Sequence, residues 1–310
     1  MSGNASATPS RREVLVTEAL LLVMVLIWGV NFSVLKYGTQ QLAPLAYNGV
    51  RMTVGALALL AVTLRSRDRR PAPGDIVRLM LLGVLGHGLY QTFFIMGLAS
   101  TRAGTASLVV AASPAVIAIV GRLLGVERIT GRAVAGIAIS ITGIALVILG
   151  SATSAAPGES GVKGDLLILC SVVCWAFYTH WLAPLLKRVQ GVQIAAWTLV
   201  GGTIPMLVMA MPAIARTDWT RAPLLVYGAI VYSGIGAMGI AYLFWYRGVR
   251  VIGPTRTAMF SNLQPIVAVL VSWPLLGEIP TLWQGVGAAG VLGGLMLTRQ
   301  PSAPEPAHGE

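Results

Sequence analysis

"SPAVIAIVGRLLGVE", Ser113 to Glu127, is written again later in the chain as "QPIVAVLVSWPLLGE", Gln264 to Glu278. Each is an apolar run opened by a proline and closed by an acid thirteen positions further on, and the two lie 151 residues apart. At that same offset Gly83 pairs with Gly234, Gly88 with Gly239, Phe93 with Phe244 and Gly97 with Gly248. Thr130 then pairs with Thr281, Gly136 with Gly287 and Gly143 with Gly294. Repeated Leu and Val mean little in an apolar chain. A single unbroken register of glycines, prolines and acids signals a duplication, and internal duplication is a known plan of membrane transporters.

The composition fixes the environment of the two copies. Of 310 residues, 55% are hydrophobic and 11% charged, and the mean hydropathy is +0.77. A soluble domain carries about 25% charged residues, so this chain cannot cover a water-facing surface and reads as an integral membrane protein. The net charge of +11 sits in short clusters between apolar runs. It fits the excess of Lys and Arg in cytoplasmic loops and gives no basic domain for nucleic acid. Cys170 and Cys174, four apart in one apolar stretch, lack metal-site spacing and read as small core residues on one helix face.

Runs long enough for a bilayer, about 20 residues each, fall near 15–38, 44–64, 76–100, 103–124, 131–150, 164–187, 191–214, 222–247, 254–276 and 281–298. The expected fold is therefore all-α, with ten transmembrane helices. Residues 1–14 form a cytoplasmic tail, 15–150 a first five-helix repeat, 151–163 a polar linker, 164–299 a second repeat and 300–310 a disordered tail. The stretch "SRREVLVTEALLLVMVLIWG" is too long for a signal-peptide core and lacks a small-residue cleavage site, so it reads as the first span. With the N-terminus inside, sixteen Lys and Arg face the cytoplasm and five, Lys36 among them, face outward. That places both termini in the cytoplasm of a multi-pass protein of the cell inner membrane. An odd number of spans per half inverts the second copy, and an inverted pair offers two related shapes for alternating access around a central cavity.

Three stretches carry a resemblance to a known family. "IWGVNF" (Ile27 to Phe32) resembles the opening motif of EamA-type members of the drug/metabolite transporter superfamily. "QPIVAVLVSWPLLGEIPTLWQGVGAAGVLGGLML" resembles their signature over spans nine and ten, and "YLFWYRGVRVIGPTRTAM" the junction between spans eight and nine. The likeness covers about residues 15 to 299, with bacterial aromatic amino acid exporters the nearest in kind. It implies that spans one to four and six to nine surround the cavity, while five and ten are peripheral. It also implies export of amino acids, related metabolites or drugs. Arg122 stands where the family's stretch is usually apolar.

Polar and aromatic residues within the spans fall at helical spacing. His87, Tyr90, Gln91 and Phe94 follow i, i+3, i+4, i+7 and share one face of span three. Met238, Tyr242 and Trp245 occupy the matching face of span eight. Trp28, Asn31 and Phe32 in span one correspond to Trp175, Tyr178 and Thr179 in span six, four positions short of the main offset. Ser107 and Ser113 in span four, and Ser261, Asn262 and Gln264 in span nine, complete the candidate substrate-binding set. Each has a plainer reading, as an interfacial anchor or as interhelical hydrogen-bond glue. Trp219, Trp273 and Trp283 take the anchor reading.

His87, at mid-span, is either a pathway residue or a neutral packed histidine; His180 lies nearer the cytoplasm. Arg51 is read as snorkelling outward along span two. Pro114 and Pro265 read as kinks, and Glu127 and Glu278 as caps or locks on a neighbouring loop. Gly136, Gly143, Gly287 and Gly294 allow close packing of the last helix of each half.

Mid-span carboxylates are missing, with Glu18 and Asp165 near helix ends, so cationic substrates are disfavoured. Phosphate esters would call for buried Lys or Arg, and only Arg51 is available. A neutral or zwitterionic substrate with an apolar part fits best, carried by facilitated diffusion or by proton exchange through His87. The favoured function is export of neutral amino acids, aromatic or other hydrophobic ones first. The alternatives are export of hydrophobic drugs or another small metabolite, or a membrane scaffold that transports nothing. Three histidines without HExxH spacing argue against an enzyme, and no cofactor or metal is implied. Expected partners are the small-molecule substrate and the lipid bilayer, with the protein a monomer or weak dimer.

Overall fold

The computed structural model describes residues 10–66, 70–126, 131–154, 161–186, 188–252, 257 and 260–298. The chain is nearly all helical. The helices, in order, are α1 (Arg11–Gln41), α2 (Pro44–Arg65), α3 (Pro73–Ser100), α4 (Ala103–Leu123) and α5 (Gly131–Ser154). They are followed by α6 (Gly161–Leu186), α7 (Gly191–Arg216), α8 (Leu224–Ile252), α9 (Gln264–Leu276) and α10 (Leu282–Thr298). Seven of these, α1 to α4 and α6 to α8, are long and apolar enough to cross a bilayer, and α5 and α9 add shorter apolar stretches at Val134–Gly150 and Gln264–Leu276. The chain is a multi-span membrane protein.

Local sequence sets the helix ends. Ser10 accepts from the Glu13 amide at 3.2 Å and so caps α1, while Pro44 and Pro73 open α2 and α3, where a missing N–H costs nothing. At α10 Thr281 and Gln284 exchange bonds: the Thr281 amide donates to Gln284 Oε1 at 2.9 Å and the Gln284 amide to Thr281 Oγ1 at 3.2 Å. That is a reciprocal capping box. Gly277 closes α9 and Gly125 follows α4, both left-handed, at φ +67° and +72°. Only glycine adopts that region without strain.

Several boundaries differ from those expected. α1 already begins at Arg11, inside the expected tail. The linker expected over 151–163 is helical at both ends, through Ser154 and from Gly161. The first residues expected in span nine and the 300–310 tail lie outside the described residues. α3 carries a π-helical stretch at Val84–Leu89, and α8 carries one at Tyr232–Ile240 over the equivalent positions. Such bulges are rare and gather at functional sites. α4 breaks at Ala112 (φ −81°, ψ 0°), two residues before Pro114; Leu263 repeats that conformation (φ −83°, ψ −14°) before Pro265. Proline removes the amide that would continue the ladder, so the kinks expected from sequence take this form.

Glycines let the helices pack closely. On α3, a Cβ at Gly83 would collide with the Thr198 carbonyl of α7, and one on Gly202 would lie 2.6 Å from the Gly83 oxygen. On α2, a Cβ at Gly55 would lie 2.8 Å from the Gly234 oxygen of α8, and one on Gly234 2.7 Å from the Arg51 oxygen. α5 and α10 meet through Gly143 and Gly287, each of whose Cβ would lie 2.7 Å from the other's carbonyl oxygen.

Glu278 follows α9 and docks on the start of α4. The amides of Ala103 and Gly104 donate to its two carboxylate oxygens at 2.8 and 3.0 Å, where the free N–H groups of a helix N-terminus favour an anion. Arg102 fixes the same junction by donating to the Ile279 carbonyl at 2.6 Å. Glu278 thus caps a helix, where the sequence suggested a loop; Glu127 lies outside the described residues. Glu278→Ala is expected to lower stability by about 1 kcal/mol, with Glu278→Gln between it and the parent, read as midpoints of thermal unfolding in detergent.

Two side chains, Cys170 and Lys36, sit differently from their sequence reading, and Asp165 is near a helix end as expected. Cys170 is exposed and Cys174 half-buried, because this face of α6 looks away from the bundle. Lys36 is buried and donates to the carbonyls of Thr101 at 2.6 Å and Ala99 at 3.2 Å. Asp165, near the start of α6, is fully buried and accepts from the Thr101 hydroxyl at 2.6 Å. Both are buried contacts where α1, α3 and α6 meet, so Lys36 is held inside the bundle and is not a solvent-facing charge.

Candidate functional site

A cluster of rings gathers between α1, α3, α6 and α8. His87 stands in the π-helical stretch of α3, 2% exposed. Its ring centroid lies 6.4 Å from that of Trp175, 5.7 Å from Tyr178 and 5.8 Å from Tyr242, each edge-on. Trp175 adds contacts to Tyr178 at 5.0 Å and to Tyr90 at 5.5 Å. Tyr90 stacks on Phe94 at 5.7 Å, which meets Phe32 at 5.8 Å. Trp28 extends the cluster, 5.5 Å from Tyr242 and 5.9 Å from Trp245. Edge-on and offset pairs at these separations match the ring quadrupole.

The cluster has polar points. Neither ring nitrogen of His87 has a hydrogen-bond partner among the described residues; Asn31 Oδ1 on α1 is also buried without one, but Asn31 is not among the residues joined to the rings. A buried polar atom without a partner costs about 1–3 kcal/mol, which a substrate group can relieve. Trp28, Tyr90, Trp175, Tyr242 and Trp245 are half-buried, so accessible space reaches the rings.

Beside the rings lies a network that the sequence reading missed. Arg51 is 1% exposed. Its Nε donates to Asn48 Oδ1 at 2.8 Å and its Nη2 to Gln91 Oε1 at 2.6 Å. It points into the bundle and does not snorkel outward, because α2 turns this face toward α3. The Asn48 amide donates in turn to the Gln91 carbonyl oxygen at 3.4 Å. An arginine in an apolar run, with an asparagine three positions before it, was the available signal.

Of the residues expected at the site, the structure brings together His87, Tyr90, Gln91, Trp28, Trp175, Tyr178, Tyr242 and Trp245. The hydroxyl of Thr179 is spent on the Trp175 carbonyl at 2.7 Å, that of Ser113 on Val110 at 2.5 Å and that of Ser107 on Gly104 at 2.7 Å. His180 is tied to the Ile117 carbonyl at 2.9 Å, a join between α6 and α4. Asn262 and Gln264 are half-buried at the start of α9 and make no side-chain hydrogen bond to the cluster among the described residues. Pro265 lines a separate apolar cavity of about 270 Å3 between α4, α9 and α10, with Leu108, Val269 and Gln284.

Comparison with known proteins agrees with a transport role. The EamA-like transporter family model matches twice, over residues 15–149 and 162–300. An uncharacterised transporter of Bacillus subtilis, YdfC, is 28% identical over 276 residues, covering 89% of this chain and 88% of the relative. A probable terminal-alkyne amino-acid exporter of Streptantibioticus cattleyicolor is 27% identical over 277 residues, covering 89% and 91%. A protein of known crystal structure superposes with a TM-score of 0.62 at 19% identity, covering 91% of this chain and 96% of its own, and so shares the fold. The family and the Bacillus and Streptantibioticus relatives are transporters, not enzymes. The chain is a member of the EamA-like transporter family, within the drug/metabolite transporter superfamily.

Proposed function

We propose that this transporter exports a neutral or zwitterionic amino acid with an aromatic or otherwise hydrophobic side chain across the cell inner membrane. The observation that carries the reading is the ring cluster around His87, half-open and built from four helices of both halves. Rings accept an apolar body by stacking, and unpaired polar atoms beside them accept a polar head. The printed description of the Streptantibioticus relative, an amino-acid exporter, supports the substrate class.

The working cycle is alternating access between inverted halves, residues 15–150 and 164–299, with ten crossings. Two matches to one family model support the duplication. The packing supports the inversion, because its contacts recur in exchanged pairs. Gly83 of the first half meets Thr198 and Gly202 of the second; the equivalent Gly234 meets Arg51 and Gly55 of the first. Ser140 donates to the Val291 carbonyl at 3.3 Å across a separation of 151 residues, as residues beside a two-fold axis do. The excess of Lys and Arg in one set of loops supports a cytoplasmic position for both termini.

The test is uptake of radiolabelled tryptophan, phenylalanine, methionine and threonine into proteoliposomes, with and without a pH gradient. Saturable uptake competed by unlabelled amino acid is the expected result; uptake no faster than into empty liposomes rejects this substrate class. His87→Phe is expected to separate stability from function. It replaces two unpaired buried nitrogens with a ring that fits the same neighbours, so unfolding in detergent should require about 1 kcal/mol more. Transport should fall about tenfold through loss of the polar point.

A further inference from the structure

Arg51 is a buried cation with no counter-charge among the described residues. Its partners are the amide oxygens of Asn48 and Gln91, and no carboxylate among the described residues stands within ion-pair distance. Taking a guanidinium out of water is costly, and neutral amides recover only part of that. Ionisable groups inside a membrane are otherwise paired, or serve a substrate path.

The surroundings say which path. Gln91 follows Tyr90 directly and sits one turn after His87, and its amide oxygen accepts from the guanidinium. Tyr47, Tyr90 and Tyr242 are within electrostatic range of the charge, the last two belonging to the ring cluster. The second half has no equivalent. At the positions matching Asn48, Arg51 and Gln91 it carries Ala195, Thr198 and Tyr242. The duplicated scaffold is therefore asymmetric: a cation and two amides lie on α2 and α3 of the first half, and Tyr242 of the second half lies within electrostatic range of the cation. That arrangement fits a ligand with an anionic head and an apolar body.

We infer that Arg51 is the receptor for the substrate's carboxylate, and that the carboxylate displaces the Gln91 side chain from Nη2. Gln91 Oε1, at 2.6 Å, holds the place a carboxylate oxygen takes. A charged acceptor binds a guanidinium about twice as strongly as a neutral one, so the exchange is favourable. The inference rests on the ring cluster being the transport site, as proposed above, but it needs no amino group on the ligand.

The experiment uses the purified full chain in detergent and measures ligand-induced thermal stabilisation. The four probes are phenylalanine, phenylalaninamide, phenethylamine and 3-phenylpropionate. The two carboxylates are expected to bind at least about tenfold more tightly than the amide and the amine. Arg51→Gln should abolish that preference, Arg51→Lys should restore part of it, and Gln91→Ala should keep it. Equal binding of acid and amide by the parent protein, no binding of either carboxylate, or an unchanged preference in Arg51→Gln would each overturn the inference. Should Arg51→Gln not fold, the acid-to-amide ratio of the parent protein and the Arg51→Lys ratio decide. Binding of 3-phenylpropionate but of no amino acid would keep Arg51 as an anion receptor and reject the amino-acid reading instead.

Discussion

Gly83→Leu is expected to leave little folded protein in the membrane. Even a methyl group at Gly83 would overlap the Thr198 carbonyl of α7, and it would lie 2.7 Å from that carbonyl's carbon and 2.9 Å from the Thr198 Cα. These are backbone atoms of a helix, so no side chain can rotate away, and α3 must separate from α7. The seam is tight on both sides, since a Cβ on Gly202 would itself lie 2.6 Å from the Gly83 oxygen. Overpacking costs about 1–3 kcal/mol where side chains can adjust; here leucine should exceed that range, and alanine should fall near its upper end. Gly228→Ala on α8 is the control. Nothing lies within 4 Å of a Cβ there, so it should be neutral or slightly stabilising. Monodispersity after solubilisation and the midpoint of thermal unfolding report both outcomes. Equal midpoints for Gly83→Ala and Gly228→Ala would contradict the seam.

Trp175→Ala is expected to raise the half-saturation concentration for transport by about ten- to a hundredfold. Trp175 touches His87, Tyr90 and Tyr178 in the cluster. A ring contact contributes about 0.5–1.5 kcal/mol beyond the area it buries, and burial of an apolar body about 1.5–3 kcal/mol. Each 1.4 kcal/mol is about tenfold in affinity. Trp175→Phe should recover most of the loss. Trp273→Ala should leave transport unchanged, because Trp273 is 53% exposed on α9, as an interfacial anchor would be. Concentration dependence of uptake in proteoliposomes, normalised to folded protein, separates the two. A Trp175→Ala protein with parental kinetics would remove the ring cluster from the substrate path.

Much of the ring cluster was legible because helical periodicity is a local property. His87, Tyr90, Gln91 and Phe94 must share one face of any α-helix, and so must Tyr242 and Trp245. Both stripes then fell at matching positions of the two copies. Ser113, Asn262 and Gln264 had only their polarity to mark them, and Thr179 its spacing from Trp175 and Tyr178. Two of their hydroxyls turned out to bond to their own helix, the local habit of Ser and Thr in apolar helices. The π-helical stretches were not legible, since they depend on how α3 and α8 are held by their neighbours.

What the sequence determined by itself follows from composition and short-range geometry. An apolar chain with clustered charges must be a membrane protein, backbone groups in lipid must be satisfied within helices, and a register of glycines, prolines and acids marks the duplication. What only the tertiary structure decided is which face of each helix meets protein. In a membrane both the lipid face and the packed face are apolar, so the contrast that orients a helix in a soluble protein is absent. Arg51, Lys36, Asp165 and Cys170 therefore carried no readable direction. Contact between α2 and α3 turns Arg51 inward, the meeting of α1, α3 and α6 buries Lys36 and Asp165, and the same packing leaves Cys170 on the outer surface.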